Sequence, residues 1–316
     1  MFAPICLFVF DRPFHTEKVL SSLAENAESK NSILYIYSDG IPENVTKERL
    51  DNIILTRKII SNEKRFKKVN ITFRKKNLGL SRSLINGISE VCEKHGKIIV
   101  LEDDLVVEIF FLNYMNKALE VYEFENKIGA ICGYFYPVLN IESYSETFCL
   151  NYNSCWGWAT WQRSWSNFEQ NGKLLLTKIK SQNLNTKFDY NNTRHHTKML
   201  KNQVLGRNNS WAIRWAATLF LNNQLSLFTK MSFVDNIGFD GSGFHSGFEK
   251  TYDVVLMKDK ISNFTKDIKE NKLIKIELEN FFNSNNKMCR IATIMQTVIT
   301  CPEFLMNKPS YPLFSK

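Results

Sequence analysis

Three consecutive carboxylates, Glu102, Asp103 and Asp104, follow four apolar residues, Ile98 to Leu101, in the stretch Lys97–Val106. A short, uncharged, β-branched run with such a boundary reads as a buried parallel strand. The acids then stand at its C-terminal end, where open α/β sheets place their ligands. Adjacent carboxylates repel one another unless a cation or a donor-rich ligand compensates them, and a hard divalent ion with oxygen ligands suits such a set. The ordinary alternative is that one Asp caps the following helix while the other acids are solvated. The tripeptide alone leaves these two readings level.

Other residues with chemical potential lie far away in the chain. Asp235-Asn-Ile-Gly-Phe-Asp-Gly-Ser-Gly-Phe-His245 is a glycine-rich stretch with two acids, Asp235 and Asp240, and one histidine, His245. His245 would serve as a second metal ligand or phosphate donor, against the alternative of a surface histidine. Residues 151–165 hold four of the six tryptophans, Trp156, Trp158, Trp161 and Trp165. Most of such a set packs in a core, leaving one or two rings to stack on a sugar, with Trp156 the choice for the acceptor side. Asn77 and Arg82 flank a helix start just before the acidic strand, where a donor contact and a solvated helix end are equally good readings. His195-His196 lies in a polar stretch and is given little weight as a metal site.

The elements that must position these residues alternate. Strands are expected at Ile5–Phe10, Ile33–Tyr37, Val69–Phe73, Ile98–Leu101 and Ile128–Cys132. Helical apolar spacing is expected over Phe14–Asn26, from Pro42 to about Ile60, after Leu80, and over Phe110–Phe124. This order predicts an α/β fold with a doubly wound, mainly parallel twisted sheet and helices on both faces. Residues 1–135 would form a nucleotide-binding, Rossmann-like half and 136–250 a smaller, mixed acceptor-side half of the same domain. Residues 251–316 would be a basic C-terminal extension. Residues 166–209, rich in Asn and Lys, read as a mobile helical insertion, followed by an apolar helix that starts with Ser210-Trp-Ala-Ile-Arg-Trp215 and runs to about Leu221. Neither GxGxxG after the first strand nor GxxxxGK[ST] is present, which disfavours dinucleotide and P-loop chemistry.

Composition narrows the class. At 316 residues the chain suits one large α/β domain or two modest ones. A net charge of +9 favours acidic partners such as nucleotide phosphates or anionic lipid. The basic residues are scattered and carry no recognition motif, so nucleic acid is not expected. The seven cysteines show no CxxC pair or zinc spacing. Their odd number, with an N-terminus that reads as a strand, implies a reducing, cytoplasmic setting. No run approaches the roughly 18 to 20 apolar residues of a spanning helix. Residues 289–306 are apolar within a basic tail and read as a packed helix, with peripheral contact at the inner face of a membrane as the alternative.

Together these motifs resemble those of GT-A glycosyltransferases. Val-Leu-Glu-Asp-Asp-Leu105 is similar to the Glu-Asp-Asp form of the DxD motif in the N-acetylglucosaminyltransferase I type. Pro4 to Arg12, Tyr37-Ser-Asp-Gly40, Trp156-Gly-Trp158, the Trp211 region and Gly238-Phe-Asp-Gly-Ser-Gly-Phe-His245 follow in the same order. Bacterial surface-polysaccharide sugar transferases are closer still, sharing Trp-Gly-Trp-Ala-Thr-Trp161 and Asn-Ile-Gly-Phe-Asp240. The resemblance covers roughly residues 3–247. It implies that Asp104 coordinates Mn²⁺ or Mg²⁺ on the diphosphate of a nucleotide-sugar donor, with Asp103 on the ribose and Glu102 on the donor sugar. Asp39 would read a uridine-type base and Arg12 would approach the phosphates. The acceptor would be a hydroxyl of a glycan or lipid-linked glycan, with Trp156 and Trp211 on its side, and transfer would invert the anomeric centre.

One departure stands out. Where the glucosaminyltransferase begins a helix with Trp-Asp-Asp-Trp and supplies its base, this chain has Trp211-Ala-Ile-Arg214. An inverting transfer still needs a base at the acceptor oxygen. Asp240, between Gly238 and Gly241, is preferred over Asp235 for that role. A nucleotidyltransferase and a non-catalytic glycan-binding protein on the same scaffold are the alternatives.

Overall fold

Each face of the central sheet draws on alternate residues of the same strands. In β1 (Ile5–Val9), Ile5, Leu7 and Val9 join one apolar cluster while Cys6 and Phe8 join another, the period-two signature of a strand covered on both sides. The computed structural model describes residues 2–138, 141, 144–240 and 251–284. Within them the first half runs β1, α1 (Pro13–Glu25), β2 (Ile33–Ser38), α2 (Lys47–Ser61), β3 (Lys68–Phe73), α3 (Leu80–His95) and β4 (Lys97–Glu102). The second half continues with β5 (Leu105–Val107), α4 (Phe111–Val121), β6 (Ile128–Cys132), β7 (Thr147–Leu150), β8 (Trp158–Trp161) and α5 (Gln162–Trp165). After these come α6 (Gly172–Ser181), α7 (Asn185–Phe188), α8 (His196–Val204), α9 (Trp211–Leu221), β9 (Leu225–Thr229), β10 (Val234–Asn236) and α10 (Lys272–Ser284).

The eight-stranded sheet has the order β3-β2-β1-β4-β8-β6-β9-β7. The first four strands are parallel neighbours. β8 then lies antiparallel between β4 and β6, and β7 closes the far edge antiparallel to β9. The mainly parallel, Rossmann-like α/β architecture is as expected. From β1 the chain winds outward to β2 and β3, then returns to β4 on the other side of β1. The crevice between β1 and β4 is therefore a topological switch point, the usual ligand position in an open sheet.

Several boundaries differ from the sequence reading for local reasons. α2 begins at Lys47 rather than Pro42, because the Thr46 side chain accepts the Arg49 N–H as a cap. α3 stops where Gly96 adopts φ +75° and its N–H bonds the Cys92 carbonyl. The tryptophan-rich stretch contains a strand, β8, that the alternation of strand and helix did not reveal. Residues 166–209 are not a loose insertion: Leu175, Leu176, Ile179, Phe188 and Leu200 pack on Ile213 and Phe220 of α9 as a third apolar cluster. Nor is 251–284 a separate extension. Met257, Ile261, Ile274, Leu278 and Phe282 belong to the first cluster, and the Tyr122 and Tyr134 hydroxyls donate to the carbonyls of Thr265 and Tyr252.

Four tryptophans, Trp158, Trp165, Trp211 and Trp215, form much of the second cluster, with Trp158 stacked 5.6 Å from Trp211. Cys6, Cys92, Cys132 and Cys149 are buried free thiols and Cys155 is half-buried. Cys289, Cys301 and the apolar stretch 289–306 lie outside the described residues. No described helix is long and apolar enough to cross a membrane.

Replacing Trp158, which is fully buried, by Ala is expected to cost about 3–5 kcal/mol in urea denaturation. His196 is pushed down to about 4 by burial and then by the Arg194 charge. Unfolding frees the ring to take a proton at its ordinary value, so stability is expected to fall as pH drops from about 6.5 to 4. His196→Asn should flatten that part of a stability–pH curve.

Candidate functional site

The register Phe8↔Glu102 sets the ends of β1 and β4 side by side. The residues that follow each strand, Phe10 to Arg12 and Asp103-Asp104, leave the sheet together. Asp103 turns inward, 4% exposed. Its Oδ2 accepts the Phe10 N–H at 3.2 Å, and its Oδ1 meets the Arg12 guanidinium. A second nitrogen of Arg12 lies 3.1 Å from Asp104 Oδ2. One planar guanidinium thus forks across two consecutive carboxylates, a geometry arginine provides and lysine does not.

The electrostatics follow from this crowding. Burial raises the Glu102 carboxyl well above the usual carboxylate range; the neighbouring Asp104 and Asp103 charges add to this and Arg12 opposes it. Burial also raises Asp103, with Arg12 pulling the other way. For Arg12, burial works against the charge, but Asp103 and Asp104 more than compensate and keep it protonated. Three acids thus share one arginine.

Beyond the acids, β5 pairs antiparallel with β10, setting Leu105 opposite Asn236. The Ile237 N–H then reaches the Asp104 carbonyl at 2.9 Å. Gly238 comes so close that a Cβ there would run into the Asp104 carboxylate, so the glycine permits the approach. Two residues on, Asp240 Oδ2 lies 3.1 Å from His15 Nε2 on the first turn of α1. Phe239, between them, meets the Trp156 ring edge-to-face at 5.6 Å and the Tyr252 ring at 5.4 Å. Arg12, Asp104, Asp240 and Trp156, which are scattered along the sequence, are thereby gathered around the end of β4.

Other expected site residues have different surroundings. Asp39 is buried, and its carboxylate accepts the N–H groups of Gly40, Leu78 and Gly79 at 2.8, 3.0 and 2.9 Å. Asn77 donates to the Gly40 carbonyl at 2.8 Å. Both side chains thus clasp the loop after β2 to the loop before α3, and Asp39 accepts from three backbone donors. Arg82 is exposed on the first turn of α3. Asp235 is half-buried in β10, raised by burial and by Asp253, and has no bond to the acidic triplet. Trp211, 4% exposed, is stacked in the core, which replaces the acceptor-side role expected of it. His245 lies outside the described residues.

Arg214 follows Ala212 and Ile213, the two positions at the start of α9 where the resemblance places acids. Its guanidinium donates to the carbonyls of Ser210 and Gln170 and to Ser81 Oγ, tying α9 to α3. His15 is the site residue that sequence reading missed. Its signal was the spacing: it stands three residues after Arg12, in the first turn of α1.

Among the described residues no three His, Cys, Asp or Glu side chains are grouped to hold a metal ion. Asp104, with its side chain 18% exposed against 6% for Asp103, is the more open of the two aspartates. A single carboxylate suits Mg²⁺ or Mn²⁺ only where phosphates and water complete the shell. Among the described residues, the donor set therefore fits an ion brought with a diphosphate.

No family model and no curated protein matches the chain. Among solved structures, it is similar to the crystal structure of S. aureus TarS, at 10% identity and a TM-score of 0.32, over 43% of this chain. The chain spans about a fifth of that protein, 22% of its length, and a likeness this low carries no argument about function.

The Asp39–Asn77 clasp depends on Gly40, where a Cβ would strike the Lys76 and Asn77 backbone. Gly40→Ala is expected to destabilise the protein by about 1–3 kcal/mol in chemical denaturation, since main chain, unlike a side-chain tip, must move.

Proposed function

We propose that the chain is a glycosyltransferase that moves a sugar from a nucleotide donor, a UDP-sugar in the first instance, to a hydroxyl of a bacterial surface glycan, free or lipid-linked. The observation that carries this reading is the meeting of Asp104 and the Gly238–Asp240 segment at the β1/β4 switch point. That meeting sets an acid suited to a phosphate-borne cation beside a second, separately held acid. The sequence resemblance to GT-A enzymes points the same way.

In this reading Asp104 holds Mn²⁺ or Mg²⁺, which when bound supplies charge neutralisation on the leaving diphosphate. Arg12, pinned by Asp103 and Asp104 at the rim, contributes a fixed positive charge toward the phosphates. Asp103 serves chiefly to hold Arg12, since its two oxygens are taken by Arg12 and the Phe10 N–H, and Glu102 faces the donor sugar. Asp240, its side chain 44% exposed, receives the proton of the acceptor hydroxyl. As that oxygen bonds to the anomeric carbon, the bond from this carbon to the diphosphate breaks, and the electron pair leaves with the nucleoside diphosphate. Attack from the face opposite the leaving group inverts the centre. Trp156, with Phe239 and Tyr252 beside it, offers apolar rings for the acceptor sugar.

A second reading, a glycan-binding protein on this scaffold, draws on Ala212 and Ile213, which stand where the resemblance expects acids. Incubation with a panel of UDP-sugars and Mn²⁺ separates the two. Metal-dependent UDP release, lowered about a hundredfold or more by Asp104→Ala, is the expected result. Asp240→Asn should lower transfer by about 10²–10⁴-fold. Tight glycan binding without metal-dependent turnover of any donor would establish the second reading instead.

A further inference from the structure

The first turn of α1 touches both acidic features of the site. Arg12, its N-terminal flanking residue, grips Asp103 and Asp104; His15, three residues on, meets Asp240. We infer that His15 is the positioning residue for Asp240, holding the carboxylate that accepts the proton of the acceptor hydroxyl; this rests on the transferase reading above.

Burial and rigidity support the assignment. His15 is 5% exposed, an unusual place for an imidazole without a task in packing alone. Its position is set by Pro13 in the first turn, by the Thr16 N–H and Oγ1 bonds to the Arg12 carbonyl, and by edge contact with Phe14 at 5.9 Å. Asp240, by contrast, stands on a loop, half in solvent. An exposed loop carboxylate samples several rotamers, and a bond to a buried ring on a helix favours those that keep it. Contact of Nε2 with Oδ2 at 3.1 Å aims the carboxylate. Among the described residues, Arg12, which flanks α1, links this turn to Asp103 and Asp104.

The chemistry balances without further reagents. The acceptor O–H proton passes to the Asp240 carboxylate while the new C–O bond forms and the diphosphate departs with its electron pair. His15 keeps its own proton throughout and undergoes no net change. It acts on the rate through geometry, as the orienting partner of a general base does.

The test uses the full chain, Mn²⁺, a panel of UDP-sugars and methyl glycosides as acceptors, reading kcat, donor KM and Tm for each variant. His15→Phe is expected to lower kcat about ten- to a hundredfold with donor KM and Tm close to those of the parent. His15→Gln, whose amide N–H can reach the same oxygen, should recover most of the loss. Added to Asp240→Asn, His15→Phe should cost little more, because the two act as a unit. Unchanged kcat in His15→Phe, with transfer lost in Asp240→Asn, overturns the positioning role and leaves the transferase reading standing. So does a parallel fall in kcat and Tm that His15→Gln does not rescue. Normal transfer by Asp240→Asn removes the base and its positioner together. A parent protein inactive with every donor overturns the transferase reading itself.

Discussion

The crevice depends on one charge balance. Three carboxylates stand at the end of a strand with a buried apolar run, and the Arg12 guanidinium compensates two of them. Placing a charge out of water is costly unless it is paired and hydrogen-bonded. The pairing therefore dictates where the neighbouring chain can go. β1 must end level with β4, α1 must begin there, and Asp103 must turn inward to a backbone N–H. The excess of negative charge that remains is a standing attraction for a cation, and it lies at the β1/β4 switch point of the sheet.

Where the sequence was legible, it was because a physical boundary was sharp. The apolar run to Leu101 ending in Glu102 marked the end of β4, β6 runs between the same residues in structure and expectation, and α9 starts one residue after the expected Ser210. β8 was hidden because tryptophans at spacings of two, three and four match no single period, and its reversed direction between β4 and β6 is a tertiary choice. The packing of 166–209 was hidden for a related reason. Its few apolar residues look isolated along the chain, yet converge on α9 once three short helices fold. His196, set aside in sequence as a polar-stretch residue, is instead held near Tyr152 and Phe188 with its ring against the Phe188 carbonyl.

Side-chain role was harder to read than side-chain type. Asp39 and Asn77 had the right chemistry for a ligand and spend it on backbone groups of two loops. Trp211 had the right surface for a sugar and lies stacked on Trp158. Conversely, Phe239 and His15 attracted no notice, since a phenylalanine among glycines and a histidine in an amphipathic helix are unremarkable alone. Pairings over more than two hundred residues, such as His15 with Asp240, follow from the β5–β10 ladder and not from any local pattern.

That ladder also orders events in time. β5 is complete in the chain by Val107, but its partner begins only at Val234. During synthesis at about 5–20 residues per second, the acidic strand end waits several seconds for the segment that will lie across it. The parallel strands β1 to β4 and their helices can collapse meanwhile, because their contacts close earlier in the chain. Assembly of the crevice is therefore a late, long-range closure, slow by the usual dependence of folding on contact separation. A nascent chain halted before the second half emerges would carry its three acids with nothing yet to lie over them.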